Sequence, residues 1–181
     1  LVVDTIPHAV RMNLGNLRSL TLIGLNLRRL TANSFVQMKK LETLALKSCR
    51  IQTIEPNAFH SLEQQLRQLD LDSNQLTNDI FMELKRLAAL ESLSLSHNFI
   101  DELSMPLINP KLRYLDLSYN QVKRLILINM NHLEVLHLQN NLLTSEQIYG
   151  TWPKQLKELI LDFNAIHTVH PHFIDQENSL E

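Results

Sequence analysis

Cysteine, glycine and proline are scarce in this sequence of 181 residues, which contains one, three and six of them, respectively. Because Cys49 is the only cysteine, no disulfide can form within the chain. Three glycines argue against a glycine-rich phosphate-binding loop, and the low glycine and proline content argues against a fibrous or disordered chain. Hydrophobic residues make up 44% of the sequence, which is enough for a continuous core.

Neither sign of charge dominates the sequence. Lys and Arg total 17, Asp and Glu total 19, and the formal net charge is −2. The chain therefore lacks the basic excess expected of a protein that binds a nucleic-acid backbone. Its longest apolar runs, such as residues 125–128, are far too short to cross a bilayer. The sequence predicts no nucleic-acid partner and no membrane insertion in this segment.

One pattern of leucines, L-x-x-L-x-L-x-x-N-x-L, occurs seven times along the chain. Its copies begin at Leu17, Leu41, Leu66, Leu90, Leu112, Leu133 and Leu156. Seven copies in one frame, spaced 21 to 25 residues apart, indicate a repeat protein in which each unit stacks on its neighbours. Partial repeats at both ends lead us to expect a single domain over residues 1–181 that belongs to a longer array.

The spacing within each repeat predicts a short strand. Two of the leucines lie two positions apart and therefore point to one face, which strands of successive repeats would bury by pairing in parallel. We expect strands centred on residues 20–22, 44–46, 69–71, 93–95, 115–117, 136–138 and 159–161.

The asparagine of each repeat has an amide that can satisfy backbone groups where the chain turns away from its strand. This predicts one buried column of asparagines with the single cysteine in line. Its members are Asn74, Asn98, Asn120, Asn141, Asn164 and Cys49. Among the segments that return to the next strand, residues 79–90 read as a short helix and residues 149–153 as a loop.

These repeats resemble the leucine-rich-repeat family over essentially the whole chain. The 24-residue form with Phe35 and Phe59 resembles the typical subclass found in Toll-like receptor ectodomains and secreted insect immune proteins. The irregular spacing is most similar to that of the mosquito leucine-rich immune proteins, although the cysteine-rich caps and coiled coil of that group are not found here. The resemblance implies an α/β fold: a right-handed, horseshoe-shaped solenoid with a parallel β-sheet on its concave face and short helical or irregular returns.

Residues for catalysis or metal binding do not form a recognisable pattern. The sequence contains no nucleophile elbow, no phosphate-binding loop and no H-E-x-x-H motif. His167, His170 and His172 lie close together but lack a fourth ligand, so a solvated loop is the simpler interpretation. Cys49 is interpreted as a small buried residue of the asparagine column rather than a reactive thiol. We expect no enzyme activity, no cofactor and no metal.

The variable positions of the pattern are expected to point outward onto the concave face. In the first half of the chain they are small and polar, whereas the second half gathers aromatic and apolar residues, a composition typical of interface anchors. The predicted binding residues are His97, Tyr114, Asp116, Tyr119, Val135, His137, Ile160 and Phe163. Two alternatives are that solenoid faces ordinarily carry some aromatics, and that a flanking segment covers them.

Two functional hypotheses follow from the pattern and the resemblance. The first is a protein-binding module of a secreted or cell-surface protein in innate immune recognition, which binds a protein ligand on its concave face. The second is an intracellular scaffold that regulates a partner protein. A homo- or hetero-oligomer of the longer protein is compatible with both.

Overall fold

The computed structural model describes residues 6, 14–32, 34–103 and 109–168. Seven strands, one from each repeat, form a parallel sheet in the order β1-β3-β5-β6-β8-β10-β12. These strands are β1 (Ser19–Ile23), β3 (Thr43–Lys47), β5 (Gln68–Asp70), β6 (Ser92–Ser94), β8 (Tyr114–Asp116), β10 (Val135–His137) and β12 (Glu158–Ile160). The fold is the predicted leucine-rich-repeat solenoid. We call the side where the strands begin the entry edge and the side where they end the exit edge.

The leucines of the pattern are in register across the sheet. Leu93 pairs with Leu69 on one side and with Leu115 on the other, and all three are buried. Because consecutive side chains of a strand point to opposite faces, the residues flanking each of these leucines are left on the outer face of the sheet. Each repeat therefore contributes one layer to a continuous core and one row to an exposed surface.

Five of the seven strands begin and end one residue earlier than predicted. Leu71 illustrates the reason: its N–H still donates to the carbonyl of Ser94 on the next strand, at 2.9 Å. Its own carbonyl instead accepts from the side-chain amides of Asn74 and Asn98, at 2.8 and 3.1 Å. The asparagine column thus takes over the hydrogen bonds at the exit edge, and the strand ends there.

The predicted column of asparagines is present, and all of its members are buried except Asn164, which is partly buried. The amide nitrogen of Asn120 donates to the carbonyls of Leu95, Leu117 and Ser118, at 2.9 to 3.1 Å, while its side-chain oxygen accepts from the N–H of Ile100. Each ladder asparagine therefore joins its own repeat to the preceding one. The same arrangement recurs at Asn74, Asn98, Asn141 and Asn164.

Cys49 occupies its predicted place in this column. Its thiol donates to the carbonyls of Leu22 and Lys47, at 3.4 and 3.2 Å. Its backbone N–H donates to the side-chain oxygen of Asn74 at 3.1 Å. Burial raises the pKa of the Cys49 thiol, which keeps it protonated and able to donate these bonds.

The returns differ from repeat to repeat. β2 (Arg29–Leu30) pairs with β4 (Thr53–Ile54), and β9 pairs with strands on both sides in the order β7-β9-β11. These three strands are β7 (Glu102–Leu103), β9 (Arg124–Leu127) and β11 (Ile148–Gly150); the helical returns are α1 (Ile80–Leu84) and 3-10 helices at His60–Leu62 and Ser145–Gln147. No helix in the described ranges is both long and apolar enough to cross a membrane.

Two predictions for the returns were inaccurate. The helix predicted over residues 79–90 is limited to α1, because Leu87 and the residues after it form turns that lead directly into β6. The loop predicted at 149–153 begins as strand β11, which adds to β9. A Cβ at Gly150 would lie 2.5 Å from the carbonyl oxygen of Leu127, so this close pairing requires glycine.

Candidate functional site on the outer face of the sheet

Five of the eight predicted binding residues lie side by side on the outer face of three neighbouring strands. They are Tyr114 and Asp116 on β8, Val135 and His137 on β10, and Ile160 on β12. The register places Tyr114 beside Val135, and places His137 between Asp116 and Ile160. The structure therefore brings these five residues together, and all of them are partly buried.

A hydrogen-bonded chain of side chains crosses these strands. The rings of Tyr114 and His137 meet edge to face with centroids 5.4 Å apart, and the Tyr114 hydroxyl lies 3.4 Å from Nδ1 of His137. Nε2 of His137 lies 2.9 Å from Oε1 of Glu158. A carboxylate only accepts hydrogen bonds, so Nε2 of the neutral imidazole carries the proton and Nδ1 accepts from the tyrosine hydroxyl. These contacts, together with the interaction of the Tyr114 hydroxyl with Asp116, link the side chains of the three strands.

The side chain of Tyr114 is surrounded by negatively charged groups. Burial raises the pKa of its hydroxyl to about 12, and the carboxylates of Asp116, Glu158 and Asp70 add to the rise. Tyr114 is therefore uncharged and a hydrogen-bond donor throughout the physiological pH range.

The remaining three candidates lie beyond the strands, in contrast to the expectation that they project from them. His97, Tyr119 and Phe163 each precede a ladder asparagine and have left-handed backbone conformations, with φ of 52°, 53° and 57°. All seven residues at this repeat position share φ between 52° and 71°. The chain must reverse sharply here so that the asparagine amide faces back toward its strand, and that turn moves these side chains to the exit edge.

The left-handed turns leave large side chains exposed at the exit edge. The rings of His97 and Tyr119 stack with centroids 4.2 Å apart and planes 10° from parallel. Tyr119 is 47% exposed and Phe163 is 80% exposed. Because the turn backbone is tied to the next repeat, as in the bond from the N–H of Tyr119 to the carbonyl of Gln139, these rings stand on a rigid support.

Sequence reasoning missed two further residues at this edge. Phe99 and Leu142 directly follow ladder asparagines and are 52% and 48% exposed, respectively. Only the variable positions before the asparagine were considered as outward-facing. The position after the asparagine carries Arg50, Gln75 and Gln121 in other repeats. Comparing the repeats at this position would have identified Phe99 and Leu142, because they are apolar where the others are polar.

A shallow depression of about 400 Å³ lies on the outer face beside the aromatic strands. Its lining includes Tyr114 and Asp116 from the predicted set. The rest comes from earlier repeats, where small side chains such as Ala45 and Ser94 leave room. This depression is thus centred on the repeats that the sequence showed to be small and polar.

The titratable side chains of the described residues are not arranged as a metal centre. Within the described ranges, no group of three or more His, Cys, Asp or Glu residues is placed to hold a metal ion. His167 is exposed, whereas His170 and His172 lie outside the described residues.

Comparison with known families and structures agrees with the repeat architecture. A family model described as "Leucine rich repeat" matches residues 15–76, and a second model of the same description matches residues 109–123. No curated protein matches the sequence. Leucine-rich-repeat families are generally non-enzymatic modules of protein interaction.

Several solved structures share the fold. The leucine-rich-repeat ectodomain of the plant membrane receptor kinase GASSHO1/SCHENGEN3 from Arabidopsis thaliana, solved with CASPARIAN STRIP INTEGRITY FACTOR 2, is 27% identical, with a TM-score of 0.63 over 90% of this chain and 20% of that one. The mosquito LRIM1/APL1C complex gives 21% identity and a TM-score of 0.67 over 78% of this chain and 27% of that one. The APL1 leucine-rich-repeat domain gives 22% identity and a TM-score of 0.63 over 84% of this chain and 46% of that one.

The chain spans less than half the length of each of these structures. The similarity nevertheless extends over most of the present chain and reproduces its stacked parallel sheet. Repeat pattern, asparagine column, family models and fold all lead to one assignment: the chain is a leucine-rich-repeat protein.

Proposed function

We propose that this chain is a non-catalytic protein-binding module whose ligand contacts the outer face and exit edge of repeats four to seven. The observation that carries the proposal is the exposure of Phe99, Tyr119, Leu142 and Phe163 along one edge. Large apolar side chains on a rigid backbone bury much area on binding and lose little conformational freedom. We call these four residues the apolar edge.

The other six residues predicted from sequence extend this edge into a larger surface. Parallel strands lie about 4.8 Å apart, so four repeats span roughly 14 Å between their outer strands. That width suits one cluster of energetically dominant contacts rather than a whole interface. The surrounding contacts would come from the sheet face of earlier repeats or from other parts of a longer array.

We further propose that the protein acts outside the cell, as a secreted protein or ectodomain in innate immune recognition. The similarity of its fold to the LRIM1/APL1C complex and to APL1 supports this proposal, as does the 24-residue repeat form with Phe35 and Phe59. Residues 1–181 would then form one domain within a longer chain.

The absence of any N-x-S/T sequon in the sequence favours the alternative of an intracellular scaffold. The two functions differ in compartment rather than in binding surface. Flanking sequence would separate them: a signal peptide and cysteine-rich caps support the extracellular role, and a full-length chain that lacks both supports the scaffold.

Site-specific photo-cross-linking tests the binding surface directly. Benzoyl-phenylalanine would replace Tyr119 in one sample and Lys85, an exposed residue after α1, in another, and each would be incubated with extracts of the source organism. We expect defined cross-linked partners from position 119 that disappear when Phe163→Ala is added to the same chain. Cross-links from position 85 alone would show that the ligand uses another face. Cross-links at 119 that are unaffected by Phe163→Ala would show that the apolar edge does not act as one contact surface.

A further inference from the structure

The outer face of the sheet is more negative than the chain as a whole. It comprises the outward strand positions and the first outward residue after each strand. This face carries five carboxylates and one ammonium, a formal charge of −4 on a chain whose total is −2. The charged residues are Lys47, Asp70, Asp72, Asp116, Glu158 and Asp162. The remainder of the molecule is therefore net positive, and the face that presents the aromatic residues is its negative side.

Four of these charged groups border the depression of about 400 Å³. Asp70 and Asp72 belong to the third repeat, and Asp116 belongs to the fifth. The intervening fourth repeat contributes only serines there, including Ser94, so the floor is low between two acidic walls. The ring of Tyr114 also lines the depression, on the same side as Asp116.

The protein itself places one cation on this acidic surface. Nζ of Lys47 lies 2.5 Å from Oδ2 of Asp70, which shows that an ammonium group fits against the wall of the third repeat. The carboxylates of Asp70 and Asp72 raise the pKa of Lys47, as expected where the local potential is negative.

Among the described residues, no corresponding cation pairs with the opposite wall. Oδ1 of Asp116 accepts from the backbone N–H of Ser118 at 2.9 Å, and within the described ranges Asp116 takes part in no ion pair. Its carboxylate interacts with the hydroxyl of Tyr114 on the same strand, and carboxylates and aromatic rings both attract cations. This side of the depression is therefore negative, with no counter-ion among the described residues.

We propose that the sheet face receives a basic segment of a protein partner, with one arginine or lysine side chain seated in the depression between Asp72 and Asp116 and against Tyr114. The inference rests on the proposed function and adds the chemistry of its ligand. An acidic segment would be repelled, and an apolar one would desolvate the carboxylates without pairing them. A basic segment with apolar neighbours would pair with the carboxylates and also cover the apolar edge.

Amide NMR spectra of the chain can test the proposal with a short probe peptide of alternating leucine and arginine. We expect it to shift the amides of residues 92–96 and 114–118, and the same peptide with citrulline in place of arginine to bind at least about tenfold more weakly. Citrulline keeps the size and shape of arginine but is neutral, with a carbonyl oxygen in place of one amino group. The comparison therefore tests whether the guanidinium group is required at constant size.

Three variants locate the cation. Asp116→Asn keeps the acceptor for Ser118 and should weaken binding of the arginine peptide at least about fivefold. Asp79→Asn, which removes an exposed carboxylate at the start of α1, is the matched control and should leave affinity unchanged. Lys47→Gln removes the competing internal cation and should strengthen binding.

The proposal is overturned if the arginine and citrulline peptides bind equally, if Asp116→Asn and Asp79→Asn have the same effect, or if millimolar arginine peptide leaves residues 92–96 and 114–118 unshifted. These results would not affect the proposed function, because the cross-links from position 119 detect a partner of any charge. Loss of those cross-links with a retained, Asp116-dependent response to arginine would reject the protein-binding surface of repeats four to seven and keep the cation site.

Discussion

The two edges of the same sheet use their side chains in opposite ways. At the entry edge, the residue that follows the first leucine of each repeat alternates in charge along the whole array. The series is Arg18, Glu42, Arg67, Glu91, Arg113, Glu134 and Lys157. Neighbouring repeats pair these charges: Arg67 with Glu91 at 2.5 Å, and Glu134 with both Arg113 and Lys157 at 2.8 and 2.9 Å.

At the exit edge, the side chains beside the ladder do not pair in this way. The asparagines there satisfy the backbone from inside, through bonds such as that from Asn120 to Leu95. The residues on either side of them, including Tyr119 and Phe99, extend into solvent. The entry edge thus completes its interactions within the chain, whereas the exit edge is stabilised by buried groups and leaves its exposed ones available for a ligand.

The comparison shows that repetition can serve stability and binding at the same time. A repeat protein gains stability from interfaces between neighbouring units, so a position used for pairing contributes in every repeat. A position freed by the ladder contributes little to those interfaces beyond local contacts such as the stacking of His97 on Tyr119. Its residue can therefore vary from Ser73 to Tyr119 to Phe163 without altering the stack.

The largest expected effect on stability comes from removing one asparagine of the buried column at the exit edge. Asn120→Ala removes the donor to three carbonyls and the acceptor for the N–H of Ile100. Since each buried backbone group left unpaired costs about 1–3 kcal/mol, partly offset by water, we expect the free energy of unfolding to fall by about 2–4 kcal/mol. Urea denaturation of the wild type and the variant would measure this decrease.

Gln121→Ala is the control for this variant, because Gln121 lies next to the ladder but is exposed. We expect little change in its unfolding midpoint. Equal effects of the two substitutions would contradict the structural role assigned to the ladder.

The next largest effect is expected on ligand binding, when exposed rings of the apolar edge are removed. Phe163→Ala and Tyr119→Ala should each weaken ligand binding by about 1–3 kcal/mol, because each removes an exposed ring from the apolar edge. The unfolding midpoint should remain unchanged for Phe163→Ala and fall slightly for Tyr119→Ala, which also removes the stacking on His97. Calorimetry with the partner identified by cross-linking would give the affinities.

Tyr119→Gly sharpens this prediction. Gly24 occupies the same position in the first repeat with φ of 71°, and glycine adopts that conformation without strain. We therefore expect Tyr119→Gly to lose as much affinity as Tyr119→Ala while being at least as stable. A Gly variant markedly less stable than the Ala variant would show that the left-handed turn is not the determining feature.

A smaller effect is expected where the ladder is interrupted by cysteine. Cys49→Asn would replace the weak thiol donor to Leu22 and Lys47 with an amide, and should raise the free energy of unfolding by about 0.5–1 kcal/mol. Cys49→Ala removes the donor altogether and should lower it. A destabilised Asn variant would indicate that this layer is packed too tightly for an amide.

The smallest effect is expected at the entry edge. Glu134→Gln removes the charge paired with Arg113 and Lys157, but exposed ion pairs contribute little, so the loss of stability should be smaller than for any ladder variant. Thermal unfolding at low and high salt would show a difference between wild type and variant that disappears as salt increases.

The pH dependence of the same pair has a definite sign. The hydrogen bond from Lys157, together with its charge and that of Arg113, holds the pKa of Glu134 below its ordinary value of 4.5. The stabilisation is therefore fully present above pH 4.5 and is lost as pH falls through the lowered pKa of the folded state. A wild type and a Glu134→Gln variant that differ most at acidic pH would contradict this assignment.

The sequence alone was sufficient for the repeating part of the molecule. Leucine spacing located all seven strands, and the asparagine position predicted the ladder, including Cys49, because both features depend on contacts that every repeat makes with the next. Residues at the repeat positions of Leu93 and Asn120 contact equivalent residues in every repeat. The surroundings of these positions can therefore be predicted from the repeat pattern alone.

The returns and the surface required the tertiary structure. α1 ends at Leu84 rather than Leu90 because the chain must turn back to reach β6, a condition set by the width of the solenoid and not by helix propensity. The left-handed turns at His97, Tyr119 and Phe163 likewise follow from the need to aim an asparagine at the preceding repeat.

The same turns decide what the exit edge displays. They carry Tyr119 and Phe163 off the strands and place them along the edge that also exposes Phe99 and Leu142, although neither of the last two was expected from the pattern. The negative sheet face has a similar origin. Asp70 and Asp116 are separated by more than forty residues of sequence but face one depression, because stacking places their strands on either side of a single intervening strand, β6.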